Sequence, residues 1–311
     1  MKQLDAIKKK LPLLLLTGIV LVCLSFVLIN CGLGPKGKIV DPDAGPFAVD
    51  FSDCPSDSTS CWVVVDSNAF TSPSKKMAAR ELTAEAWVKL KSTSTSAAIF
   101  GRMDSSGIML YVKNGIPKAA VRRTAGGAGS TSTIDVITGA ASMLQANIWT
   151  HIAAVLSFPS SATSTLDLYI NGQLANSTGA AVAKKDYTEP GGTLMGVGTF
   201  LDAVNVDGVS SPLKQGIVDE ARLWGTARTP GEINKCMNQE LSLDSGTCGR
   251  MTNNLIGYLR LNEGKGDITN DWAGLGSGVK ERTNPNATPG HETLSWNSGW
   301  TSDTPNLKRT D

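Results

Sequence analysis

Few residues in this chain have the type and spacing to do chemistry. Asp202, Asn205 and Asp207, followed by Gly208, set three oxygen-bearing side chains close together. That suits a hard cation such as calcium, which collects several carboxylate, amide and carbonyl oxygens at once. Asp, Asn and Gly are equally what a tight loop needs without metal, so calcium is the one cofactor the residues suggest and nothing in them requires it. Asn262-Glu263-Gly264 is a weaker second candidate. Carboxylate catalysis needs two acids facing one substrate, whereas Asp219 and Glu220 are adjacent and would point to opposite faces of a regular strand. Glu220 and Arg222 would share a face and are read as a structural ion pair. His151 stands between Trp149 and Ala153 in an alternating run with no serine, cysteine or acidic partner indicated. It is read as structural rather than as a base. His291 lies in a Gly- and Pro-containing stretch and calls for no role. No catalytic residue is assigned, and the ligand-contacting residues stay unknown.

The cysteines speak of compartment. Cys23 lies inside the apolar run Leu11–Ile29, and Cys31 follows its end in Leu28-Ile29-Asn30-Cys31-Gly32. With Lys8, Lys9 and Lys10 in front, the run has the cationic and apolar regions of an export signal. Its end resembles a lipobox, in which the cysteine receives lipid and becomes the new N-terminus; Asn30 departs from the small residue usual before that cysteine. The expectation is lipid attachment at Cys31, with an uncleaved membrane anchor as the alternative, since a span needs roughly 20 apolar residues. Cys54, Cys61, Cys236 and Cys248 remain for the domain. Four cysteines allow three pairings, and the short spacings favour Cys54 with Cys61 and Cys236 with Cys248. A zinc site lacks ligand spacing, having no CxxC pair and no nearby histidine.

Those residues must be positioned by something, and the pattern is that of short strands. Residues 31–60 open with Gly32, Gly34, Pro35, Gly37, Pro42, Gly45 and Pro46 and read as a spacer. Strand character then recurs at Trp62–Val65, Glu85–Leu90, Ala98–Gly101, Ile108–Val112, Lys118–Arg122, Thr150–Leu156, Thr165–Ile170, Gly216–Trp224 and Leu255–Leu261. Leu166, Leu168 and Ile170 fall on one face, and Asn171-Gly172 supplies a tight hairpin turn. One helix is predicted over Pro230–Leu241, because Thr229-Pro230-Gly231-Glu232 combines a capping hydroxyl, a proline in the first turn and a glutamate three positions on. The fold class is therefore all-β, an antiparallel two-sheet sandwich over 61–300 with one short helix near the C-terminal third, after a signal over 1–30. Residues 301–311 are expected to fray as a tail.

Charge narrows the partners. The 311 residues carry 29 Lys and Arg against 28 Asp and Glu. Four of the lysines lie in the first thirty residues, so the remainder is slightly acidic and gives no footprint for nucleic acid.

Three stretches carry a family resemblance. Leu82-Thr83-Ala84-Glu85-Ala86-Trp87-Val88-Lys89 is similar to an opening strand of the laminin-G-like, concanavalin A-like lectin/glucanase superfamily. Trp149-Thr150-His151-Ile152-Ala153-Ala154-Val155, with Leu166-Asp167-Leu168-Tyr169-Ile170-Asn171-Gly172, resembles its paired central strands. Gly216-Ile217-Val218-Asp219-Glu220-Ala221-Arg222-Leu223-Trp224 and the Thr229-Pro230-Gly231-Glu232-Ile233 helix start resemble its closing strand and helix. The resemblance runs over roughly 62–300 in the same order. It implies a jelly-roll sandwich, a structural place for Glu85 and His151, and a choice among sugar binding, adhesion and glycoside hydrolysis. The laminarinase-like hydrolases of this fold carry a Glu-x-Asp-x-(x)-Glu strand, which is absent here. The expectation is a surface or periplasmic lipoprotein of the cell envelope, anchored by lipid to a bacterial membrane, on the outer membrane or cell surface, with a non-catalytic domain that binds a carbohydrate or an extracellular protein. A structural or assembly component of the envelope is the alternative, and a glycoside hydrolase the more distant one.

Overall fold

Alternation is converted into two-faced strands along most of the described residues. The computed structural model describes residues 47–52, 63–65, 81–103, 107–124, 132–140, 143–159, 163–179, 182–183, 195–199, 206–209, 212–241, 248, 254–262, 264, 268–270, 291–294 and 299–307. All of them fall within the unit Asp43–Asp311. One sheet is built from β1 (Ala48–Asp50), β3 (Leu82–Leu90), β8 (Trp149–Ser157), β9 (Thr163–Ile170), β10 (Gln173–Ser177), β11 (Val182–Ala183), β13 (Gly216–Trp224), β14 (Leu255–Leu259) and β17 (Gly299–Thr301). Its central order is β10-β9-β8-β3-β13-β1-β17, with β11 on β9 and β14 on β13. The second sheet holds β2 (Val63–Val65), β4 (Ala97–Met103), β5 (Gly107–Lys113), β6 (Ile116–Thr124), β7 (Ser132–Thr138), β12 (Met195–Val197), β15 (Ile268–Asn270) and β16 (His291–Leu294), in the order β15-β16-β2-β12-β4-β5-β6-β7. Every named pairing is antiparallel.

The sheets enclose one core. Leu82, Ala84, Ala86, Val88 and Leu90 of β3 meet Ile108, Leu110 and Val112 of β5 within it, with Ile152, Ala154 and Leu156 of β8 and Leu166, Leu168 and Ile170 of β9. At about 25 cal/mol per Å² of apolar surface, such burial is the main force holding the layers together. Two Asn-Gly turns fix the hairpin registers. Asn114-Gly115 joins β5 to β6 and Asn171-Gly172 joins β9 to β10, each with both residues at positive φ, the twist that matches paired strands.

Two segments expected outside the domain belong to it. β1 lies inside the predicted spacer, paired on one side with β13 and on the other with β17. Ala48, Val49 and Phe51 are fully buried, so this short apolar run enters the sheet and only what precedes it can act as spacer. Within the predicted tail, Thr301 closes β17, and Asp303 returns over the sheet to accept from Trp149 Nε1 at 3.0 Å and to pair with Lys89.

The helix, α1, is shorter than its periodicity suggested, covering Pro230–Cys236. Its start follows the sequence: Thr229 Oγ1 accepts from the amide of Glu232, and the Glu232 carboxylate accepts from the amide of Thr229. Its end is decided by tertiary contacts. Continuing the helix would require the Leu241 amide to reach the carbonyl of Met237. That carbonyl instead accepts from Trp87 Nε1 at 2.7 Å, and the Leu241 amide donates to Tyr258 Oη at 3.0 Å.

Candidate functional site

The strongest concentration of charge in the described residues lies on the outer face of the β3–β13 sheet, beneath α1 and the segment 236–241. β3 contributes Glu85 and Trp87, β8 His151, β13 Asp219, Glu220, Arg222 and Trp224, and β14 Tyr258. Alternation explains most of these positions, since each strand sends its other residues into the core. β13 needs one irregularity. Asp219 pairs with Trp87 and Arg222 with Glu85, so Glu220 and Ala221 together oppose Ala86. This bulge carries Glu220 at φ 53°, a left-handed conformation that glycine adopts more readily. The expectation that Asp219 and Glu220 face opposite sides is thereby corrected: the extra residue restores Ala221 and Leu223 to the core and leaves Asp219, Glu220, Arg222 and Trp224 together outside.

Arg222 is the hub. Its guanidinium pairs with Glu220, lies 3.6 Å from Glu85 Oε1, and donates to the carbonyls of Cys236 and Gln239. Glu220 also accepts from Tyr258 Oη at 2.8 Å, and Glu85 from Trp224 Nε1 at 2.9 Å. The predicted Glu220–Arg222 ion pair is therefore present. His151 differs from expectation in one respect, because an acidic neighbour does exist: Nε2 lies 3.5 Å from Glu85 Oε2 across the strand diagonal, while the ring meets Trp87 edge-on. The Glu85–His151 contact joins β3 to β8 and so has no sequence-local signal.

These groups are closed to solvent. Glu85 is 0% exposed, His151 1% and Glu220 2%. Burial pushes the Glu85 carboxyl up, but the His151 hydrogen bond and the Arg222 and Arg228 charges outweigh it and hold the group down at about 2. Burial and the Glu220 charge push the Tyr258 hydroxyl well above its ordinary range. Arg228 stacks 4.0 Å over the Trp224 ring. Farther along, Arg260 donates to the Leu241 carbonyl at 2.6 Å and pairs with Glu240 at 3.3 Å, which also accepts from Asn262 Nδ2 at 2.9 Å. Among the described residues, this arrangement compensates buried charge and keeps the Glu85 and Glu220 carboxylates out of contact with solvent.

The lid is tied covalently. Cys236 at the end of α1 is bonded to Cys248, one of the two local pairs that the spacing favoured. Cys54 and Cys61 lie outside the described residues, as does Cys31.

Of the calcium candidates, Asp207 is described, and Asp202 and Asn205 lie outside the described residues. Asp207 stands at φ 55° in a turn bridged between Val206 and Val209. Its carboxylate pairs with Lys113 at 3.2 Å and Lys118 at 2.6 Å, and its carbonyl accepts from Lys113 at 2.6 Å. The Lys118 hydrogen bond, outweighing burial, lowers its carboxyl from the ordinary value. Among the described residues no three His, Cys, Asp or Glu side chains come together as a metal site. Asn262 belongs to the Glu240–Arg260 group, and Glu263 lies outside the described residues.

Two antiparallel sheets around a single core, a hairpin-rich order and one short capping helix define a jelly-roll β-sandwich of the lectin-like class. The model of the concanavalin A-like lectin/glucanases superfamily matches residues 65–234, and the chain belongs to that family. Among curated proteins no relative matches the chain. Similar solved structures include a Bacteroides ovatus protein for which carbohydrate binding is proposed, at 15% identity and TM-score 0.47, covering 81% of this chain and 62% of that one. The chain thus spans less than two thirds of that protein. The heptameric SAP-like pentraxin of Limulus polyphemus is similar at 16% identity and TM-score 0.40, over 68% of this chain and 87% of that one. Domains LG4-5 of the mouse laminin alpha1 chain are similar at 11% identity and TM-score 0.41, over 65% and 48%.

Proposed function

We propose that this chain is a non-catalytic binding module, carried at the cell envelope by lipid on Cys31, whose loops take a carbohydrate or an extracellular protein. The observation that supports the non-catalytic reading is the commitment of the strand acids. Glu85 and Glu220 share one guanidinium beneath α1, whereas a glycosidase needs two carboxyl groups about 5–10 Å apart, open to a sugar. The lectin-like family supplies the class of ligand, and the cationic and apolar start of the chain supplies the address. Calcium is left out, because a divalent cation at Asp207 would have to displace two ammonium groups from its carboxylate.

The test is saturable binding of the purified full chain to panels of glycans and of extracellular matrix proteins, with product analysis on each glycan. Saturable binding without turnover supports the module. Steady glycan turnover, or no binding on either panel, overturns it. The address is tested by intact mass from native membranes: a mass beginning at Cys31 with acyl chains is expected, and a mass retaining residues 1–30 overturns the lipid reading.

A further inference from the structure

Cys236 and Cys248 are each 1% exposed, packed with Trp224, Leu241, Leu255 and Tyr258. A disulfide forms when a thiolate attacks a sulfur of another disulfide, and that attack needs access. The folded domain offers none at either sulfur. The bond also closes the segment that supplies the lid's carbonyls: Cys236 and Gln239 to Arg222, Met237 to Trp87, Leu241 to Arg260. Freed from the tie, that segment has many more conformations to give up before it can dock.

We propose that Cys236 and Cys248 are oxidised by thiol–disulfide exchange before the lid docks, so that the domain is completed only where a disulfide oxidant is supplied. One cysteine thiolate attacks the external disulfide and expels one of its thiolates, leaving a mixed disulfide. The second cysteine, as thiolate, then attacks the chain's sulfur in that mixed disulfide and releases the other external thiolate. Two electrons and two protons leave the chain, and the external disulfide departs as a dithiol. Segment 236–241 then settles onto Arg222, Trp87 and Arg260. The partner this assigns is a disulfide oxidant of the thiol-exchange class, whatever ligand the domain binds.

The experiment follows the full chain, unfolded and reduced, as it refolds with and without oxidised glutathione. Hydrogen exchange is read at 222–224 and 236–241, and peptide mapping identifies the paired cysteines. Without oxidant, the amides of 236–241 are expected to exchange at least about 100-fold faster than in the oxidised protein. A Cys54→Ser/Cys61→Ser variant is expected to keep this difference, which assigns it to the described bond. In the oxidised protein, reduction of Cys236–Cys248 by dithiothreitol is expected to await denaturant. Equal protection of 236–241 in reduced and oxidised chains overturns the proposal, and so does reduction at the same rate with and without denaturant. Cys236→Ala/Cys248→Ala, which leaves no thiol in the pocket, is expected to exchange rapidly at 236–241 with or without oxidant; full protection in that variant also overturns the proposal.

Discussion

Both sheets carry charges on their outer faces, and they handle them in opposite ways. On the β3–β13 sheet, Glu85, Glu220 and Arg222 are shut under α1 and compensated by backbone carbonyls and one another. On the β4–β7 sheet, Lys113 and Asp207 are 37% and 30% exposed, and their pairing faces water. A buried charge costs several kcal/mol unless every partner is present, so the first set dictates local architecture, including the bulge at Glu220 and the end of α1. A solvated pair contributes between zero and about 1 kcal/mol, so the second set can change without consequence for the fold.

The contrast is broken most severely by Arg222→Met. This leaves Glu85 and Glu220 without their shared cation and should cost about 3–5 kcal/mol, read as a lowered urea midpoint; a loss below about 1 kcal/mol would place the network with ordinary surface pairs. Acid is the next lever. Glu85 is held at about 2 against 4.5 when free, so its contribution is complete above 4.5 and disappears as pH falls toward 2. That window is worth about 3 kcal/mol. In Glu85→Gln, the stability difference between pH 5 and pH 2 should shrink by about that amount, and an unchanged acid profile would remove Glu85 from the account. Thr229→Ala deletes the helix cap and should cost about 1 kcal/mol by thermal denaturation, with little effect on the network if α1 is held chiefly by its tertiary bonds. Asp207→Asn should cost less than about 1 kcal/mol, and the loss should fade in high salt. A larger, salt-independent loss, or calcium-dependent stabilisation of the unaltered chain in calorimetry, would show that the turn does more than hold two lysines.

The layers were legible where alternation is long. Gly216–Trp224 was read with the bounds the structure gives it, and Thr229 with Glu232 marked the helix start. Several strands were not legible, although the three-residue Val63–Val65 was, within Trp62–Val65. Met195–Val197 has three residues and no period to detect, and Ser132–Thr138 is an edge strand whose apolar side chains are irregular. At the site, Glu220 with Arg222 was readable because strand neighbours two apart share a face. The Glu85–His151 and Arg222–Glu85 contacts were not, since each crosses between strands whose register the linear sequence leaves open. The bulge escaped for the same reason: no glycine announces the left-handed residue, which is held by the bonds of the Glu220 carboxylate to Tyr258 and Arg222 and by its amide donating to Asp219 Oδ1.

β1 sits between β13 and β17, with Val49 opposite Val218 on one side and Trp300 on the other. β1 therefore waits for a strand that follows every other described strand in sequence before its second ladder can form. Such distant pairing closes late and slowly, and until then Val49 and Phe51 belong to an unfinished edge open to other chains. Synthesis N-terminus first thus leaves the second edge of β1 unpaired and prone to aggregation until Gly299–Thr301 has emerged, and a truncation before Gly299 prolongs that state indefinitely.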